Sequence, residues 1–295
     1  MPETESVMGS TFRKIREDKA YTQKQISDHS MSRSTYTKFE LDEINPNVLK
    51  YLRILDHMDM SHEEFLYILN GYKWNEKEAL FKDYKQVVIA PTLLMVKDII
   101  QRGEEFLKKR YDQLILDVVN ICRGYEVLLT TNKTESAKEF AQKVWDRLEN
   151  IEEWYLSEMY LLAGILYVFP VETAQSLTAQ VLKKLTQYAD FDEAATLKKI
   201  FLFQIGTCLL NEKEYTKALN CFSELTESAK EKTPSLLLGI ALIKEAVCLE
   251  ELQNKKEAAQ KKEEAKNLFQ LIDQTTIWQE AEQNPKSYWN EYYSS

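Results

Sequence analysis

The chain has 295 residues, enough for about two domains with a core well above marginal size. Its 7 glycines and 6 prolines are too few to punctuate a β-sandwich or a doubly wound sheet, and they exclude collagen-like and low-complexity chains. With 29% charged and 44% apolar residues the fold class is all-α, and the net charge of −9 argues against a general coat for nucleic acid but not against a local basic patch.

From the N-terminus, Met1-Pro2-Glu3-Thr4-Glu5 is acidic with no apolar segment behind it, so it does not read as a signal peptide. Caps and apolar spacing then predict five short helices before Gly71. The first runs from about Met8 to Lys19 with Met8, Phe12 and Ile15 inward. Thr22-x-x-Gln25 is a capping box opening the second. After the break Asp28-His29-Ser30-Met31-Ser32, the third runs from Arg33 to about Glu40 with Ser32 as N-cap. Asn45-Pro46 is expected to start the fourth as N-cap and first helical residue, and Ser61-x-x-Glu64 opens the fifth.

Two short helices around a tight break form the frame of a helix-turn-helix. The start of the second helix offers free N–H groups and Gln23 to a phosphate. The third helix points its first turn at base edges, where the forked Arg33 suits the O6/N7 pair of guanine and Ser34 and Lys38 lie along the same side. Tyr36 and Phe39 face the first helix, with Met31 plugging the core, and Arg16 is placed to pair with Glu40. The stretch Phe12–Lys38 carries 7 basic and 3 acidic residues, although residues 1–70 are net −3.

Phe12…Arg16, Thr22-Gln23-x-x-Ile26-Ser27 and Ser32-Arg33-Ser34-Thr35-Tyr36-Thr37-Lys38-Phe39-Glu40 resemble the Xre-type helix-turn-helix. Met31-Ser32-Arg33-Ser34…Lys38-Phe39-Glu40 is closer still to the Rgg/MutR regulators of Gram-positive bacteria, and the resemblance spans the whole chain. It implies Gln23 and Ser32 on phosphate, Arg33, Ser34 and Lys38 on bases, and Arg16–Glu40 as a structural ion pair. It also implies an N-terminal DNA-binding domain over residues 1–70 and a peptide-sensing, dimerising helical-repeat domain over 71–295. The sequence departs from the Xre pattern where Leu41, Asp42 and Glu43 replace the glycine usual after the glutamate. Those two acids are expected to repel backbone phosphate.

From Tyr72 onward the pattern is helix after helix. Gly124, Gly164 and Gly206 recur at spacings of 40 and 42 inside apolar helices. Gly206…Tyr215…Ala218…Phe222…Leu225 matches the small and aromatic positions of a tetratricopeptide unit. The predicted helix pairs are 72–88/92–109, 111–130/134–149, 151–169/171–189, 193–211/214–230 and 234–253/255–272, divided at Ala90-Pro91, Phe169-Pro170 and Thr233-Pro234. The tail from Thr275, with Trp278, Tyr288, Trp289, Tyr292 and Tyr293, is expected to cap a right-handed solenoid.

The first helix of each pair lines the concave surface of such a stack. Projection places Tyr125 and Leu128, Tyr160 and Tyr167, Phe203, Thr207, Leu210 and Asn211, and Ile243 toward it, a mostly apolar surface that suits a short hydrophobic peptide. Asn211 or Gln204 would bond the peptide backbone.

The function expected is a DNA-binding transcription regulator whose repeats sense a hydrophobic signalling peptide. The alternative is a DNA-bound scaffold that recruits a protein partner with no peptide effector. All three histidines, His29, His57 and His62, lie in the first 62 residues, which removes the commonest acid/base and zinc chemistry from the long module. Glu152 and Glu153 read as solvated acids, so no enzyme, cofactor or metal site is expected. Cys122, Cys208, Cys221 and Cys248 have no metal-ligand spacing and read as reduced core residues of a cytoplasmic protein. The longest apolar run, Tyr160–Phe169, is well short of the roughly 20 residues of a membrane span. Promoter DNA, a short peptide and a second copy of the chain are the expected partners.

Overall fold

A computed structural model of the chain describes residues 7–28, 30–131, 134–230, 235–276 and 278–279. His29, the Thr233-Pro234 break and most of the expected capping segment, including Tyr288, Trp289, Tyr292 and Tyr293, lie outside them. Among the described residues every regular element is helical, as the composition requires, and no helix is long and apolar enough to cross a membrane. The chain divides into two compact units between Ala79 and Leu80, later than the expected boundary at Gly71.

The first unit contains α1 (Met8–Asp18), α2 (Gln23–Ser27), α3 (Arg33–Glu40), α4 (Val48–His57) and α5 (His62–Leu69). The caps set these bounds. Thr22 and Gln25 close a reciprocal capping box, Ser32 Oγ accepts the Thr35 N–H at 3.2 Å, and Ser61 Oγ accepts the Glu64 N–H at 3.1 Å. The fourth helix starts later than expected. Asn47, not Asn45, is its cap, because Asn47 Oδ1 accepts the Lys50 N–H at 3.0 Å, which leaves Pro46 outside the helix. The core is aromatic: Phe12 stacks on Phe65 with ring centroids 4.0 Å apart and meets Phe39 at 5.3 Å.

The second unit continues α6 (Glu76–Ile89), which contains the division, with α7 (Leu93–Lys109), α8 (Gln113–Thr131), α9 (Thr134–Leu148) and α10 (Leu156–Ile165). α11 (Val171–Leu185), α12 (Asp192–Asn211), α13 (Tyr215–Lys230), α14 (Leu236–Glu251) and α15 (Lys255–Leu271) follow. Helices occupy all five predicted pairs, and α8/α9, α12/α13 and α14/α15 pack as pairs, whereas α7 packs on α8 rather than on α6 and α11 on α12 rather than on α10. Gly206 and Phe222 close the α12/α13 pair as the spacing predicts. A Cβ on Gly206 would lie 2.9 Å from the Phe222 ring, so only glycine admits that contact.

α10 differs from its expected span of 151–169. It starts at Leu156, because the preceding segment is held as a loop by the Trp154 indole N–H donating to Leu148 O at 2.9 Å. Its last turn tightens to a 3₁₀ helix over Leu166–Val168, since Pro170 forces the preceding Phe169 into an extended conformation. Several links skip chain neighbours, and in one of them Tyr84 Oη, on α6, donates to Tyr160 O on α10 at 3.0 Å, in space kept open by Gly164.

Glycine is scarce because most helix ends manage without it. Ala20, Asp42, Asp59, Lys213, Gln253 and Asp273 each take a left-handed φ just past a helix, and Gly71 is the glycine that does so among the described residues. After α12, Lys213 N–H donates to Leu210 O and Glu214 N–H to Leu209 O, the paired bonds of a Schellman cap.

Candidate nucleic-acid interface and repeat-domain site

In the first unit, α3 buries Tyr36, Phe39 and Glu40, while its cap Ser32 and its residues Arg33, Ser34 and Lys38 are exposed. The four residues expected to reach DNA from this helix therefore share its outer side. Behind them, Arg16 grips Glu40 through Nε–Oε1 at 2.5 Å and Nη2–Oε2 at 3.1 Å, the expected pair. The bond to Glu40 raises the guanidinium pKa further.

Gln23 and Ser32 have structural duties besides any contact with phosphate. Gln23 Nε2 donates to Glu40 Oε2 at 2.8 Å and Gln23 Oε1 accepts the Thr37 hydroxyl at 3.2 Å, so the side chain bridges α2 and α3. The Ser32 hydroxyl is the α3 cap and lies 2.7 Å from that of Thr35.

Asp42 is not a bare acid facing phosphate, as the sequence suggested. Its Oδ1 accepts the Gly9 N–H at 2.5 Å and its Oδ2 the Ser10 N–H at 3.1 Å. It thus caps α1, whose own N-cap Val7 has no side-chain cap bond. The partners are more than thirty positions apart, so no local signal marks the role. Met31 is partly buried against the module core, as expected of a plug.

In the repeat unit, the projected peptide positions fall on α8 (Tyr125, Leu128), α10 and its 3₁₀ extension (Tyr160, Tyr167), α12 (Phe203, Gln204, Thr207, Leu210, Asn211) and α14 (Ile243). All are buried except Asn211, which is half-buried. Tyr125 and Tyr167 rings lie 5.7 Å apart, Phe203 meets Phe222 at 6.2 Å, and Thr207 Oγ1 donates to Phe203 O at 2.8 Å. Gln204 Nε2 donates to Ala163 O at 3.0 Å and joins α12 to α10. Among the described residues Gln204 Oε1 and Tyr167 Oη are buried with no hydrogen-bond partner, which is uncommon for interior polar atoms. Burial raises the Tyr160 and Tyr167 hydroxyls above their ordinary pKa.

Sequence reasoning missed Lys244. It is fully buried on α14 beside Ile243, with Nζ 5.7 Å from the Phe203 ring centroid. Burial pushes its amine down to about 7. The nearby thiols of Cys208 and Cys248 are pushed up to about 12 by the same cause. The adjacent charges Lys244 and Glu245 inside the otherwise apolar stretch Leu236–Leu249 were the available signal. Glu245 is also buried, accepting Ser223 Oγ at 2.7 Å and Thr226 Oγ1 at 3.1 Å and pairing with Lys261 at 3.0 Å.

The overall architecture is that of several solved structures. One is a candidate transcriptional regulator of Listeria monocytogenes EGD-e, 17% identical, with 96% of this chain and 97% of that one covered and a TM-score of 0.75. Another is Bacillus thuringiensis PlcR in complex with the peptide PapR7 and DNA, 16% identical over 95% and 99% of the two chains, with a TM-score of 0.66. A third is the Streptococcus dysgalactiae SHP pheromone receptor Rgg2, 13% identical over 95% and 99%, with a TM-score of 0.66. Identities this low establish the fold alone. No curated protein sequence matches the chain. A helix-turn-helix profile matches residues 12–65. The profile of the C-terminal domain of the HTH-type transcriptional regulator Rgg matches residues 94–283, well over half the chain. With the helix-turn-helix frame ahead of that domain, the chain belongs to the Rgg family of helix-turn-helix transcriptional regulators.

Proposed function

We propose that the chain is a cytoplasmic homodimer that binds promoter DNA through residues 1–70 and senses a short hydrophobic signalling peptide through residues 71–295. Arg33, Ser34 and Lys38 read base edges while Gln23 and Ser32 sit at the phosphate backbone. Two copies place two such helices on half-sites one or two DNA turns apart, about 34 Å per turn. The DNA-bound and peptide-bound PlcR and the pheromone receptor Rgg2 share the fold and support this reading.

The observation that carries the peptide half is the orphaned Gln204 Oε1, buried amid the projected peptide positions with Tyr167 Oη in the same state. A peptide backbone N–H is the donor that such an amide oxygen lacks. The burial of the surrounding side chains means that a peptide enters by parting them, which couples its binding to helix movement. The same burial favours a second reading, in which these residues are ordinary core and the DNA-bound chain recruits a protein partner.

Calorimetry with hydrophobic peptides of under about ten residues, encoded by short reading frames beside the gene, decides between the two. The proposal expects one of them to bind, and Gln204→Leu to weaken it by about 1–3 kcal/mol. DNA binding with no response to any such peptide would establish the scaffold instead.

A further inference from the structure

A cleft of about 400 Å³ opens between α9, the loop that precedes α10, and α11. It contains none of the projected peptide positions, so a ligand held there is independent of the peptide reading. Two half-buried indoles, Trp145 and Trp154, form part of its wall, with ring centroids 6.4 Å apart and a T-shaped arrangement. The Trp154 N–H donates to Leu148 O, so the ring meets a ligand in the cleft through its carbon atoms rather than as a donor. Trp145 is braced from another side by Phe169 at 4.8 Å.

The rim is acidic. Glu149, Glu152 and Glu153 line the cleft, and Lys184 is the cation among its lining residues. Lys184 is already bound to Glu153, and that carboxylate raises its pKa. Among the described residues Glu149 and Glu152 have no ion pair, so the cleft keeps two uncompensated negative charges beside two indole rings. The Lys184 ammonium also stands 5.9 Å from the centroid of the Tyr155 ring. The rim thus holds one cation of its own by a carboxylate and an aromatic face together.

We propose that this cleft binds an organic cation, an ammonium or guanidinium on a short aliphatic stem, with its charge between the Glu149 and Glu152 carboxylates and its stem against the indoles. Carboxylates attract any cation, but a π wall selects one that is weakly hydrated and carries apolar surface. The cation comes either from a free amine or from a basic side chain of a bound protein.

Calorimetric titration of the full-length protein with agmatine tests the proposal, with butylurea as its uncharged counterpart and N-acetylargininamide representing an arginine within a polypeptide. Saturable binding of a cation and none of butylurea is expected. Tighter agmatine binding assigns the site to free amines, and tighter N-acetylargininamide binding assigns it to a protein side chain. Glu149→Gln with Glu152→Gln, both exposed positions, should weaken the preferred cation about tenfold. Lys184→Ala, which releases Glu153, should strengthen it about threefold, a gain that damaged folding would not produce. Binding of butylurea as tight as that of the cations, unchanged affinity in the double glutamine variant, or no saturable heat from either cation would overturn the proposal.

Discussion

Glu40 receives Arg16 and Gln23 at once: Arg16 Nη2 lies 3.1 Å and Gln23 Nε2 2.8 Å from the same carboxylate oxygen, Oε2. α1, α2 and α3 are therefore joined through one buried side chain, and the outward face of α3 takes its orientation from that joint. Removing one partner leaves a buried charge uncompensated. Glu40→Ala should lower the stability of the first unit by about 3–5 kcal/mol, read by urea denaturation of the full chain. Arg16→Met combined with Glu40→Leu should cost clearly less than the sum of the single changes, and an additive result would show that the two do not act as a pair.

Arg33 is exposed and belongs to no part of this joint, so its loss should affect DNA and not folding. Arg33→Ala should cost about 1–3 kcal/mol in promoter affinity and relax the preference at one base position, with the melting temperature unchanged. Gln23→Ala should weaken all DNA sequences alike and also lower stability by about 1 kcal/mol, because it removes the bridge from α2 to α3. Fluorescence anisotropy with wild-type and single-base-variant duplexes separates the two patterns.

Lys213 and Gln253 hold left-handed backbone just past α12 and α14, with φ of 62° and 65°. Both are exposed, and glycine removes the clash between Cβ and the carbonyl that such a φ imposes on other residues. Lys213→Gly and Gln253→Gly should each stabilise the protein by about 0.5–1 kcal/mol. Lys213→Ala keeps a Cβ and should give no such gain in thermal denaturation.

Lys244 makes stability depend on pH in a definite direction. Its folded pKa is depressed from 10.5 to about 7, so between these values the unfolded chain binds the extra proton. Stability from this residue is complete above about pH 10.5 and falls as the pH drops to about 7. Lys244→Met should flatten that slope and raise stability at neutral pH. Denaturation midpoints measured across this window check the sign, and an unchanged slope in the variant would show that another group titrates.

The helix-turn-helix was legible because its information is local. Thr22 with Gln25 and Ser32 with Thr35 are caps three residues apart, and α3 runs over the span that those caps predict. The α12/α13 pair was legible from glycine and aromatic spacing, as Gly206 and Phe222 show. What escaped notice were contacts between distant segments: Asp42 on the start of α1, Gln204 on Ala163, and the meeting of Trp145 and Trp154 at a cleft. Phe203 and Leu210, projected toward a concave surface, are buried, and Phe203 packs against Phe222 of α13. The choice of Asn45 over Asn47 failed for a simpler reason: each lies beside Pro46, and only the geometry distinguishes them.

The Tyr84–Tyr160 bond has an architectural consequence. In an ideal solenoid each unit touches only the next, so units can be added or deleted at either end and the remainder still folds. Here α6 is anchored on α10, with α7, α8 and α9 lying between them in the chain, and Gln204 binds α10 in turn to α12. Removing an early pair would strip a hydroxyl from the wall of a later one and leave an empty space over Gly164. The array is interlocked rather than modular. The stretch from α6 to α12 should melt as one cooperative block.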